Sequence, residues 1–384
     1  MHRSGRHFLQ IPGPTNVPDR VLRAIAQATI DHRSADFAAL GREVLDGLKK
    51  VFRTTGPVVI FPASGSGAWE AALVNTLSPG DKVLAFENGE FARLWAEVAQ
   101  RLGLEVEVVL CDWRRGVDPA VVESKLRADR DIRAVLVVHN ETSTGVTSRL
   151  PDIRKAIDAA NPDALLLVDA VSSLAAIDLR HDDWQIDVTL SGSQKGLMLP
   201  PGLSFNAISE KALVASRGAR LARSYWSWQP MLASNQNGFF PYTPSTNLLY
   251  GLREALRMLA DEGLQNVFSR HCRLAEAARA AVRAWGFEIA CERADEYSPV
   301  VTTVMMPDGH DSDRLREVAA DRFNLSLGAG LGRLKGKAFR IGHLGDFNEL
   351  MLAGTLAGVE MTLIATDVPF RPGGVDAAIE HLAK

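Results

Sequence analysis

From residue 57 to residue 207, short apolar runs alternate with amphipathic helical stretches, and this alternation restricts the fold more than any other feature of the chain. "PVVIF", "KVLAF", "EVEVVL", "AVLVVH", "ALLLVD", "DVTLS" and "GLSFNAIS" read as strands, with "AWEAALVNTL", "FARLWAEVAQRLG", "PAVVESKLR" and "LPDIRKAIDAA" as helices between them. Apolar runs without polar alternation belong to strands covered on both faces, so the pattern predicts an α/β domain around a mostly parallel sheet. In such sheets a ligand lies beyond the carboxyl ends of the strands.

At 384 residues the chain exceeds what one core usually serves, which predicts a large domain with a smaller one. "STNLLYGLREALRMLADEGLQNVFSRHCRLAEAARAAVRAWG" reads as a long helical bridge punctuated by Gly263. Beyond it, "PVVTTVMM", "DSDRLREVAADRF", "AFRIGH" and "ELMLAGTLAGVEMTLI" read as a small α+β domain.

A net charge of -3 with mixed signs predicts neither nucleic-acid binding nor a polybasic membrane surface, and points to small-molecule partners. Cys111, Cys272 and Cys291 form no CxxC pair, the nine histidines do not pair at ligand spacing, and no metal site is expected. A reducing cytoplasm is the expected location. "MHRSGRHFLQIPGPT" lacks the apolar stretch of a signal peptide, and no segment approaches the roughly 20 apolar residues of a membrane span.

Three constellations fall on strand ends. In "FPASGSGAWEAAL" a strand runs through Ser64, Gly65, Ser66 and Gly67 into a helix, a turn that suits a phosphate or a serine-capped helix start. It is neither a dinucleotide fingerprint, because Glu70 replaces the third glycine, nor a P-loop. Asp169 ends the run "LLLVD", where an acid can bond a protonated ring nitrogen, hold a metal or cap a turn. Lys195 in "SGSQKGLMLPPG" follows the next apolar run, among residues that would desolvate it and lower its pKa. A phosphate cup, an acid and a reactive amine on successive strand ends are the requirements of pyridoxal 5′-phosphate.

"IPGPTNVP", "DHRS", "ASGSGAWEAAL", "HNETSTGV", "LLLVDAVSS", "SGSQKGLMLPPGL", "FFPYTPSTNLLYGLREAL" and "GLGRLKGKAFRIGHLG" occur in an order that resembles class V pyridoxal-phosphate-dependent aminotransferases of fold type I, in the serine–glyoxylate and alanine–glyoxylate group. The resemblance covers nearly the whole chain. It implies a seven-stranded, mostly parallel sheet between helices and a smaller C-terminal α+β domain, with residues 1–20 near the active site, 21–260 as the cofactor domain and 261–384 as the small domain. It also implies a homodimer with shared active sites, amino-acid and 2-oxo-acid substrates, and transfer of the amino group of L-serine to glyoxylate. Alanine and aspartate stay open as donors.

Carried over residue by residue, the resemblance makes Lys195 the lysine that bonds the cofactor, Gln194 a phosphate ligand and Asp169 the partner of the ring nitrogen. Gly196 would leave the lysine room to swing. Ser64, Gly65 and Ser66 would cup the phosphate. Phe91 and Val171 would pack on the two ring faces, and Thr142 would touch the ring's hydroxyl side. Thr243 resembles a residue that the neighbouring subunit contributes, and either Tyr242 or Phe240 stands for the family's tyrosine. Arg340 matches the substrate-carboxylate arginine, whose planar fork suits bidentate binding. His32, Arg33 and the backbone near Gly13 would lie at the active-site mouth, although Asp31 could pair Arg33 as a structural ion pair.

Competing chemistries are weaker in the sequence. A desulfurase would need a mobile catalytic cysteine, and neither Cys111 nor Cys272 is placed for it. A silent regulatory module should lack the lysine or carry an added basic segment. "RHDDW" at 180–184 reads as a solvated turn, and "RSYWSW" at 223–228 as a core or dimer contact.

Overall fold

A computed structural model describes residues 5–384, so the first four residues of the expected N-terminal segment lie outside the described residues. The strands in chain order are β1 (Phe8–Gln10), β2 (Val58–Phe61), β3 (Lys82–Glu87), β4 (Glu105–Leu110) and β5 (Ile132–Val138). A short hairpin of β6 (Asn140–Glu141) and β7 (Val146–Thr147) follows. Then come β8 (Leu165–Asp169), β9 (Val188–Gly192), β10 (Ser204–Ile208), β11 (Val301–Met305), β12 (Leu325–Ala329) and β13 (Ala338–Gly342).

The large sheet has seven strands in the order β2-β10-β9-β8-β5-β3-β4, all running one way except β10, which is antiparallel to both neighbours. Strands β2, β8, β9 and β10 are buried at every position because helices cover both faces. Successive side chains alternate between those faces. Val59, Phe61, Ala85 and Leu167 pack with the helices Gly65–Thr76 and Glu90–Arg101, while Val58 and Ile60 face the helix Ala35–Phe52 on the other side. Only the edge strand β4 is open to solvent along its length.

The long helical stretch is two helices. Thr246–Glu262 stops at Gly263, whose φ of +82° favours glycine, and Leu264–Trp285 starts immediately after it. The smaller sheet, ordered β1-β12-β13-β11, draws its first strand from the N-terminal segment, with β1 parallel to β12. Three paired residues are too short to show the periodicity by which sequence reading recognises a strand. Residues 11–15 then run from the small sheet to the large one, where the Thr15 N–H donates to the Gln194 carbonyl at 3.1 Å. The carboxyl ends of β2, β5, β8 and β9 lead into the segments holding Ser64, Thr142, Val171 and Lys195, so these fall at one edge of the sheet.

Candidate active site

Strand β9 delivers Lys195 through a turn that Ser193 fixes, its hydroxyl donating to the Pro200 carbonyl at 2.8 Å and accepting from the Leu203 N–H at 3.1 Å. The lysine is 8% exposed and its amine donates to the carbonyl of Pro12. Burial pushes its pKa down to about 7; nearby Arg340 adds to the fall, and Asp169 and Glu141 oppose it. Gly13 has φ +112°, and a Cβ there would fall 2.6 Å from the lysine Nζ, so the glycine expected at the mouth touches the amine itself. The nearest groups to Gly196 are Leu174 and Ala175. A side chain there would overlap the Leu174 carbonyl, so its smallness serves loop packing.

Asp169 ends β8 in a fully enclosed position. Its Oδ2 accepts from the Trp69 indole N–H at 2.6 Å and its Oδ1 from the Val171 N–H at 2.7 Å. Burial raises its pKa to about 6 against those two hydrogen bonds. A cationic ring nitrogen meeting this carboxylate would relieve the cost of its charge.

Ser64 stands at the N-cap of the helix Gly65–Thr76, yet its side chain makes no capping hydrogen bond. The serine-capped alternative therefore does not describe this turn. Ser64 and Ser66 are exposed, and the helix N-terminus between them keeps donors free for an anion. Gly65 packs against Val171, where a Cβ would fall 2.6 Å from a valine methyl, which joins the cup to the Asp169 turn. The buried amide oxygen of Gln194 has no hydrogen-bond partner. A phosphate, itself an acceptor, would be met by the free N–H groups of this turn, the Ser64 and Ser66 hydroxyls and the NH2 of the Gln194 amide, while the amide oxygen needs a donor. The donor-rich turn is therefore what suits a phosphorylated pyridine.

Thr142 is buried, and its hydroxyl donates to Ser172 Oγ at 2.8 Å. Arg340, on β13, is 7% exposed and lends Nε to the Ala329 carbonyl at 2.7 Å and one terminal nitrogen to the Thr142 carbonyl at 2.9 Å. It forms no ion pair among the described residues, and burial lowers its pKa to about 10. The Glu141 carboxylate opposes that fall without pairing with the guanidinium, and a buried guanidinium that makes no direct ion pair suits an incoming carboxylate. Phe91 sits half-buried on the helix Glu90–Arg101, packed on the cluster that holds Trp69 and Trp95.

Tyr242 and Thr243 line an open cavity of about 620 Å³ with His32 and Arg33. Among the described residues no hydrogen bond joins Tyr242 or Thr243 to Lys195, Asp169 or Gln194. The Tyr242 ring stacks on Tyr225 with centroids 4.5 Å apart and its hydroxyl donates to the Ser224 carbonyl at 3.1 Å, while Phe240 packs edge-on against Phe37. Thr243 is exposed. Asp31 accepts the backbone N–H of Arg33 at 2.9 Å and makes no ion pair with its guanidinium, so a turn replaces the ion pair considered from sequence.

Sequence reading missed Trp69 and Glu141. Trp69 is 100 residues from the aspartate it bonds; its only signal was a tryptophan on the sheet-facing side of the helix after the glycine turn. Glu141, fully buried in "HNETST", carries no distinguishing motif of its own. Burial drives the Cys111 and Cys291 thiols up to about 11, the opposite of nucleophile activation. No cluster of metal-ligating side chains occurs among the described residues, and no helix there is long and apolar enough to cross a membrane.

Residues 7–331 match the family model described as aminotransferase class-V. The chain is 51% identical to the serine–glyoxylate aminotransferase of Methylorubrum extorquens, over 99% of this chain and 97% of that protein. It is 44% identical to the L-aspartate–glyoxylate aminotransferase of Paracoccus denitrificans, over 97% and 95%. The crystal structure of ureidoglycine–glyoxylate aminotransferase from Bacillus subtilis superposes with a TM-score of 0.92 at 27% identity, covering 100% of both chains.

Proposed function

The chain belongs to the class V aminotransferases, and on that premise we propose that it transfers the amino group of L-serine to glyoxylate, giving hydroxypyruvate and glycine. The observation that carries the reading is a buried amine, bonded to the Pro12 carbonyl, on the strand end next to an enclosed carboxylate and near a buried arginine that makes no ion pair among the described residues. Pyridoxal 5′-phosphate, the cofactor of this family, supplies a carbon to which amines add and a protonated ring that accepts electrons.

The chain's own residues have separable tasks. Lys195 is in part neutral at pH 7, so its Nζ can bond the cofactor and afterwards take up and return a proton. Asp169, fixed by Trp69 and Val171, would hold the ring nitrogen. Ser64, Gly65, Ser66 and Gln194 would hold the phosphate, Phe91 and Val171 the ring faces, and Thr142 the ring's hydroxyl side. Arg340 would take the substrate carboxylate with Gly13 beside it. Tyr242 and Thr243 would serve the neighbouring subunit of a homodimer, working in the cytoplasm.

Serine is preferred as donor because of the 51% identity to a serine–glyoxylate enzyme, while the 44% identity to an aspartate–glyoxylate enzyme favours aspartate as the second reading. The test is kcat/KM for serine, aspartate and alanine, each with glyoxylate. The expected result is a clear lead for serine; equal values, or a lead for aspartate, would overturn the donor assignment.

A further inference from the structure

Glu141 has no task in the transaminase reading on which this section rests, yet it is fully buried at the centre of the site. The helix Glu90–Arg101 begins at Gly89, which has no side chain to cap it. Its first N–H groups turn instead to side chains about 50 residues away. The Ala92 N–H donates to Glu141 Oε2 at 3.1 Å, and the Glu90 N–H to Ser143 Oγ at 3.0 Å. Ser143 in turn gives its hydroxyl, at 2.6 Å, and its own N–H, at 3.0 Å, to Glu141 Oε1. A side chain at Gly89 would overlap Glu141, so the cap requires glycine there.

Thr142 lies between the two capping residues. Its carbonyl accepts from Arg340 at 2.9 Å, and its hydroxyl donates to Ser172 at 2.8 Å. One three-residue stretch therefore fixes the helix that carries Phe91 through its outer members, and the substrate arginine through its middle one. We propose that Glu141 is a positioning residue for transamination, its carboxylate tying the Phe91 helix and the Thr142 carbonyl into one frame that keeps the wall of the cofactor cleft and the Arg340 guanidinium in register. Small displacements of such groups weaken cofactor and substrate binding, because hydrogen bonds and bidentate carboxylate contacts lose strength steeply with poor geometry.

The test is Glu141→Gln, which keeps the shape but turns one hydrogen-bond acceptor into a donor facing donors. Titrating the apoprotein with pyridoxal phosphate should give a Kd raised on the order of tenfold, as for loss of a charged hydrogen bond. KM for amino acid and glyoxylate should rise with it, kcat should change less, and the circular dichroism should stay close to wild type, with the melting temperature lowered by the buried donor facing donors but still above the assay temperature. Wild-type Kd and KM, or a fall in kcat alone, would overturn the proposal. Should Glu141→Gln fail to fold, Ser143→Ala removes the link to the Glu90 N–H; it should raise the same Kd and KM by a smaller factor, and unchanged values would overturn the proposal. If the wild-type protein does not transaminate, the proposed function fails, and the Kd comparison still decides the role of Glu141.

Discussion

Lys195 is held where its charged form is expensive, and that cost is measurable before any cofactor is added. Its folded pKa is about 7 against an ordinary 10.5, so between those values the unfolded chain binds more protons than the folded one. Stability must then rise with pH across that window, with the penalty fully present below pH 7 and gone above the ordinary lysine value. Replacing the amine by an uncharged chain of similar length removes the penalty. Urea unfolding of apoprotein Lys195→Met should show a gain of a few kcal/mol at pH 6 that shrinks as pH rises towards 10. A gain that grows with pH would mean that the lysine is not buried as described. The residue was legible in sequence as an amine at a strand end among apolar neighbours. Its contact with Pro12 was not, because the partners are 183 residues apart and meet only when the N-terminal strap crosses between the sheets.

At the scale of elements, two glycines beside the lysine loop separate chemistry from packing. Gly13 lies on the strap between β1 and the large sheet and touches the lysine amine, whereas Gly196 touches the Leu174 carbonyl. Gly13→Ala should therefore make pyridoxal phosphate bond Lys195 poorly, on top of a stability loss from placing alanine at φ +112°. Gly196→Ala should chiefly lower stability, by about 1–3 kcal/mol of overpacking, read as a lower melting temperature. Thermal melts and cofactor absorbance on both variants check this, and the reverse pattern would contradict it. The strands of the large sheet were readable because continuous apolar runs of sufficient length leave little ambiguity. Strand β1 and the capping of the Glu90–Arg101 helix by Glu141 were not, since both are made by partners far away in sequence.

For the whole molecule, the proposed dimer rests on what one protomer leaves unused. Thr243 is exposed and Tyr242 lines an open cavity with His32 and Arg33, with no hydrogen bond from either residue to the lysine cluster. If a neighbouring subunit receives Thr243, then Thr243→Ala should keep its dimeric mass in sedimentation while losing cofactor affinity by about tenfold. Unchanged affinity would remove Thr243 from the shared site. Spacing in the sequence could suggest this loop only through family resemblance, because a contact between two chains leaves no periodicity within either.

The most direct measurement is where the cofactor attaches. The protein loaded with pyridoxal phosphate should be yellow, and borohydride reduction followed by peptide mass mapping should place one pyridoxyl group on the peptide containing Lys195, with Lys195→Ala neither labelled there nor able to transaminate. Label spread over surface lysines, or wild-type turnover in Lys195→Ala, would contradict it.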